Sequence, residues 1–451
     1  MRNPNEQLPE EKDVQHQSLI RDLKLVYRVA SKSEEHLARI QERLINTQSA
    51  PQKAVNRNAM HVQEKSGRKL YHLQMIAAVL VVALVVGSLL LVLNRAQLSH
   101  VGSPHVSGVP SAVLTSLLAL HMLDDTTGWA LAAHGVLRTT DGGQQWSDVT
   151  PPNAMLQSSS IADFRTATQA WVATPRTNAT IEVFFTSDGG QHWHSSVIPA
   201  AIPRQISFVD ALHGWILTGW QQPGGAAEPV SVFRTTDGGQ DWKSVATALF
   251  SDTTPPGRLP YGGQKSGISF LNASTGWVTG TVSLAGPSWL YITHDGGSTW
   301  QQQALPIPAG IPSARLSLLS PTFFSSTNGV LPVQFLDPDS EKPLATVIYR
   351  TSDGGTTWQA TTPLTGSWQP VDFVDSLHGW VTDGTVLAAT GDGGNRWLKF
   401  SPGTPFQRVS QLDFVNDHHG WAVSTGVAAS TSLLETVDGG HTWKAIPSRH
   451  I

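Results

Sequence analysis

One phrase, Thr-x-Asp-Gly-Gly-x-x-Trp, occurs seven times in this 451-residue chain, and nothing else in the sequence limits the fold so strongly. Its aspartates are Asp141, Asp188, Asp237, Asp295, Asp353, Asp392 and Asp438, and its tryptophans are Trp146, Trp193, Trp242, Trp300, Trp358, Trp397 and Trp443. A catalytic constellation occurs once in a protein, whereas an architectural device occurs once per structural unit. The aspartate therefore reads first as part of a turn. The two glycines reach backbone angles that cost other residues energy. The carboxylate can take main-chain N–H groups of the turn, the threonine hydroxyl can tie its limbs together, and the tryptophan supplies an apolar plate.

A second landmark stands upstream of each phrase: Gly128-Trp129, Ala170-Trp171, Gly214-Trp215, Gly276-Trp277, Gly329-Val330, Gly379-Trp380 and Gly420-Trp421. Around both landmarks, short alternating apolar runs are separated by polar turns, the pattern of antiparallel strands. In the third repeat, "QISFVD", "HGWILTG", "VSVFRTT" and "DWKSVA" read as four successive strands, with the Asp-Gly-Gly turn joining the last two. A four-stranded unit too small to bury both of its faces must stack on its neighbours. The sequence thus predicts an all-β fold, a seven-bladed β-propeller over residues 112–451, with a linear solenoid as the alternative.

The residues before the propeller differ in kind. The run "MIAAVLVVALVVGSLLLVL" at 75–93 has no charge and is long enough to cross about 30 Å of hydrocarbon. It predicts a single transmembrane helix at 73–93. Lys65, Arg68 and Lys69 before it, against Arg95 after it, orient residues 1–72 to the cytoplasm and the propeller outside the cell membrane. Leu19, Leu23, Val26, Ala30, Ser33, Leu37, Ile40 and Leu44 alternate in steps of four and three. The 19–44 stripe fits self-association through a coiled coil or an ordinary amphipathic helix. Residues 94–111 read as a stalk.

The repeat frame resembles the Asp box (BNR-like repeat) of propellers such as sialidases, sortilin-type receptors and xyloglucan-hydrolysing enzymes. Thr299, Thr357 and Thr442 also match the box position before the tryptophan. Together with Gly-Trp and the runs "RTTDGG" and "RTSDGG", it is most similar to the photosystem II assembly and stability factor family. That resemblance implies a propeller, boxes at the periphery, and a protein partner. It does not imply a photosystem for this chain.

Composition narrows the chemistry. There is no cysteine, so thiolate metal sites, disulfides and cysteine nucleophiles are absent. A formal net charge of -4 gives no electrostatic case for nucleic acid. No metal or other cofactor is expected, because His213, His378 and the pair His418–His419 stand in turns of different repeats. Of these, the pair His418 and His419 merits attention. Asp124, Asp125, Asp163, Asp210, Asp375 and Asp417 are the acids that a glycosidase reading would use, and turn acceptors otherwise. No catalytic set emerges from the sequence. A non-enzymatic protein-binding or scaffold role, in assembly or maintenance of a membrane or envelope complex, is the expectation, with glycan binding or glycoside hydrolysis as the alternative. Trp220, Tyr261, Trp289 and Trp368, in segments that break the period, are candidate binding residues on exposed loops. Arg138, Arg234 and Arg350 are candidates as well, with packing of their stems over a neighbour as the competing reading.

Overall fold

The structure is a computed structural model that describes residues 117–219, 229–249, 255–311, 313–425 and 431–447 and the backbone of Arg449–His450. The 19–44 stripe, the 73–93 apolar run, the 94–111 stalk and Trp220 lie outside the described residues. Among the described residues every regular element is a β-strand, and no helix is long and apolar enough to cross a membrane.

Each repeat forms one unit of antiparallel strands, paired in chain order. In the third unit these are Ile202–Phe208, Gly214–Gly219, Val230–Thr235 and Lys243–Ala248. The predicted strands of this repeat agree to within a few residues at each end, and the Asp-Gly-Gly turn does connect the third to the fourth. Units four and five share a ten-stranded sheet, joined where Thr281 pairs with Ser317. The inner strand of unit seven, Val409–Phe414, lies against that of unit one, Leu117–Met122, so the array returns on itself. At the rim the C-terminal pair Arg449–His450 adds in parallel to Gln145 and Trp146 of unit one. The result is a propeller-like all-β fold.

What holds one unit to the next is written in the Gly-Trp landmark. Trp171, Trp215 and Trp380 stack face to face on Phe208, Phe270 and Phe414 of the following unit, with ring centroids 3.6–3.7 Å apart. Their indole N–H groups donate to the main-chain carbonyls of Gly238, Gly296 and Gly439 in the following unit's Asp-Gly-Gly turn. Trp421 does the same to Gly142 at 3.0 Å, which carries the device across from the last unit to the first. Aromatic pairs of this kind contribute about 0.5–1.5 kcal/mol beyond their buried area.

The glycine of the landmark has its own cause. A Cβ on Gly214 or Gly276 would stand 2.4 Å from the ring of Phe208 or Phe270, which lies over it from the inner strand. Unit two has Ala170 at this place, and there the stack of Trp129 on Phe164 opens to 5.5 Å. The landmark is thus a seat for the phenylalanine on which the preceding unit's tryptophan rests.

Candidate binding site on the axis and the aspartates of the rim

At the rim, the seven Asp-Gly-Gly turns share one geometry. The threonine hydroxyl donates to the aspartate Oδ1 at 2.7–3.0 Å and accepts the second glycine's N–H at 2.8–3.0 Å. Oδ1 also accepts the N–H of the residue before the tryptophan at 2.8–3.0 Å. Where that residue is Thr299, Thr357 or Thr442, its hydroxyl donates to the aspartate's other oxygen. In the fifth turn both glycines have positive φ, 69° at Gly354 and 79° at Gly355, the region where side chains strain the backbone.

Hydrogen bonds of this kind favour the ionised carboxylate. The hydroxyl and then the amide of Thr357 lower Asp353 below the usual carboxylate range, and the amide and ring of His192 lower Asp188 to about 2. Neither is available as a proton donor near neutral pH. The residues are committed to the turn.

The axis is built differently. The residue that precedes the inner-strand phenylalanine, or Met122 in unit one, occupies one register position in all seven units: His121, Asp163, Ser207, Ser269, Thr322, Asp372 and Asp413. Five of these side chains reach the next unit's main chain. Asp163 accepts the N–H of Phe208 at 2.6 Å, Ser207 that of Phe270 at 3.3 Å, Asp372 that of Phe414 at 2.5 Å, and Asp413 that of Met122. Ser269 donates to the carbonyl of Pro321 at 2.7 Å. Inner strands of neighbouring units thereby staple to one another without forming a sheet.

Three of the staples are carboxyls, and their electrostatics invert those of the rim. Burial raises Asp163 to about 6, against the Phe208 amide and the positive charge of His121. Burial, then the neighbouring charge of Asp413, raise Asp372 to about 7. Asp413 is raised by burial although His121 opposes the shift. Partial burial lowers His121, whose side chain is 48% exposed, but its contact with Asp413, Nδ1 at 3.5 Å, and the charges of Asp413, Asp163 and Asp372 outweigh that and raise it. A cavity of about 770 Å³ opens beside this group, lined among others by His121, Asp163, Arg165, Gln205, Ser269 and Thr322.

Two expectations need correction. Trp289 and Trp368 are not exposed: they are 2% and 5% accessible, respectively. The indole of Trp289 donates to the Gly262 carbonyl at 2.8 Å with the Lys265 ammonium 5.1 Å from its ring, and that of Trp368 donates to Thr365. The irregular segments fold back on their own units because an indole gains more from burial than from water. Tyr261 is half-buried, 5.8 Å from the same ammonium.

The three arginines form clasps. Arg138 and Arg234 lie over Trp129 and Trp215, 5.7 and 5.5 Å from the ring centres. Arg234 donates to the Ala273 carbonyl and Arg350 to that of Asp392, each in the following unit. A Cβ on Gly189, Gly296 or Gly393 would meet the respective guanidinium, so each arginine reaches the next unit's turn.

Of the acids singled out from sequence, Asp124, Asp210 and Asp375 cap their own turns, and His213 and His378 bond to Asp210 and Asp375 beside them. Asp163 alone of that set reaches the axis. Asp372 and Asp413 were missed. The signal that could have found them is the residue before the inner-strand phenylalanine, three times aspartate. Among the described residues no group of three or more histidine and acidic side chains has the arrangement to hold a metal ion.

No protein-family description and no curated protein matches the chain. Solved structures do. One, described as YCF48 bound to D1 peptide, is 18% identical with TM-score 0.40 and covers 74% of this chain and 84% of its own. The GH74 xyloglucanase of Xanthomonas campestris is 15% identical with TM-score 0.49, over 75% of this chain and 54% of its own. A polysaccharide lyase of family PL25, an ulvan lyase, is 10% identical with TM-score 0.46, over 74% and 94%.

Proposed function

We propose that the chain is a membrane-anchored, seven-bladed propeller that binds a protein partner outside the membrane and carries out no chemistry on it. The observation behind this reading is the commitment of the axial acids. Asp163, Asp372 and Asp413 each spend an oxygen on the next unit's main chain, and the rim aspartates are spent on their turns. A set of carboxyls that holds a ring together leaves the surface around the cavity for recognition. The charge asymmetry about residues 73–93 supports anchoring with residues 1–72 inside, 94–111 as stalk and 112–451 outside.

Affinity capture with the full-length chain, run beside a glycan-array screen, tests the proposal. Recovery of a stoichiometric protein partner, lost on competition with excess free propeller, supports it. Saturable glycan binding without such a partner overturns it. Protease access in spheroplasts tests orientation: digestion of 112–451 from outside is expected, and protection of that region contradicts it.

A second reading, a glycan-active propeller, draws on one specific observation. Asp163 at about 6 and Asp372 at about 7 are carboxyls whose affinity for protons suits general acid chemistry near neutral pH. Release of reducing ends from a polysaccharide panel, abolished by Asp163→Asn and Asp372→Asn in folded protein, would favour it.

A further inference from the structure

The boundary between unit seven and unit one differs from the other six. Elsewhere the chain passes directly into the next unit's inner strand, whereas here it reaches unit one only at the outer edge, where Arg449–His450 pair with Gln145 and Trp146, and non-covalent contacts alone join the inner strands. Besides that rim pairing, its staples are the bonds of Leu120 with Gln411 (N–H to Oε1 at 3.0 Å, and Nε2 to the carbonyl at 2.5 Å), Met122 with Asp413, and Trp421 with Gly142. Added to these are two imidazoles. Among the described residues, the histidine–carboxylate contacts that cross between units are His121 with Asp413 and His419 with Asp125, and both fall at this boundary. His192, His213, His378 and His418 all bond to acids of their own unit.

His419 is placed with unusual economy. Its Nδ1 lies 2.9 Å from Asp125 of unit one and its Nε2 lies 3.0 Å from Glu435 of its own unit, while its ring stacks 4.2 Å from Trp421. Asn416 supports the same Asp125 oxygen at 3.2 Å. A neutral imidazole has one N–H and one lone pair, so it can satisfy one of these carboxylates and must turn its lone pair on the other. The imidazolium donates to both. At 15% exposure the ring is shielded enough for this difference to be felt. His121 faces Asp413 directly and the charges of Asp163 and Asp372 across the axis, with Arg165 acting on Asp163 from the far side.

We infer that the boundary between units seven and one is a pH-responsive latch: protonated His121 and His419 close the ring on its inner and outer sides, and their deprotonation loosens it. The inner strands then part locally at this one boundary, with the Arg449–His450 pairing at the rim still in place, rather than the ring unfolding as a whole. In a membrane-facing propeller such a place would let the surrounding pH regulate access to the axis.

The test is amide hydrogen exchange of the full-length chain at pH 5.5 and 8.5, corrected for intrinsic rates. The boundary between units three and four is a built-in control, because Ile268 and Phe270 donate there to Gln205 and Ser207, a matching pair without a titrating group. Protection at Leu120 and Met122 is expected to fall at least tenfold more than at Ile268 and Phe270 as the pH is raised. His121→Gln and His419→Gln, singly and together, are expected to shrink that difference. An equal change at both boundaries in the wild-type chain overturns the latch, and so does a difference that survives in the double variant. The wild-type comparison stands alone if a variant fails to fold.

Discussion

Asp353 at the rim and Asp372 on the axis both accept a main-chain N–H, at 2.9 and 2.5 Å, and yet their surroundings drive them in opposite directions. Asp353 sits in a solvent-facing turn where two hydroxyls and an amide converge on the carboxylate, which stabilises the charge. Asp372 is enclosed by neighbouring inner strands beside a second carboxyl, which penalises the charge. The same side chain therefore acts as a fixed anion in one place and as a proton-binding staple in the other. Converging donors decide the first case; desolvation and like charge decide the second.

The largest expected effect lies where the two regions meet. Trp215→Ala removes a plate that rests on Phe270 and bonds to the Gly296 turn, and should cost about 3–5 kcal/mol in denaturant unfolding. A loss under about 1 kcal/mol would break the claim that this contact couples axis to rim. Next, Asp353→Ala leaves the Thr357 amide and two hydroxyls without their acceptor and should cost about 1–3 kcal/mol. Thermal melts that change while partner capture persists are the expected outcome; lost capture at unchanged stability would make Asp353 a binding residue instead.

Stability against pH separates the two populations. Asp188 and Asp353 at the rim are lowered, so their contribution is present above the unfolded carboxyl value and is lost as pH falls through the folded value, about 2 for Asp188. The axial carboxyls are raised, so theirs is present below the unfolded value of 3.8 and is lost as pH rises through about 6 at Asp163 and about 7 at Asp372. His121 is also raised, and its contribution is present below 6.5 and lost above it. The melting temperature should therefore be highest at mildly acidic pH and fall between pH 5 and 8.5 by a few degrees. A flat or rising profile would contradict the axial half of the comparison. The smallest effect is expected for Asp372→Asn. It keeps an acceptor for the Phe414 amide, so stability at acidic pH should shift by less than about 1 kcal/mol, while at pH 8 the loss of the buried like charge should stabilise the fold and make the pH slope shallower.

Repetition makes the rim legible in the sequence. Seven copies of Asp-Gly-Gly could only be a turn device, and the phenylalanine six residues ahead of Gly214 marked the inner strand. The axial ring was hidden for the converse reason. Its register position accepts aspartate, serine, threonine or histidine, since any short polar side chain can reach the next strand's main chain. No motif repeats there. Trp289 and Trp368 were misread because aromatic residues in polar loops look exposed until the loop is seen to close over them. His419 was singled out in sequence by its pairing with His418, but its partner Asp125 lies at the other end of the propeller, a contact that only ring closure creates.

The comparison between rim and axis is tested most directly by titrating the aspartate carboxyl carbons in protein labelled with 13C at that position. The account predicts signals from Asp163 and Asp372 that titrate above pH 5, assigned by their disappearance in Asp163→Asn and Asp372→Asn, while the signal removed by Asp353→Asn stays ionised to below pH 4. Titration of all three carboxyls together below pH 4.5 would contradict it.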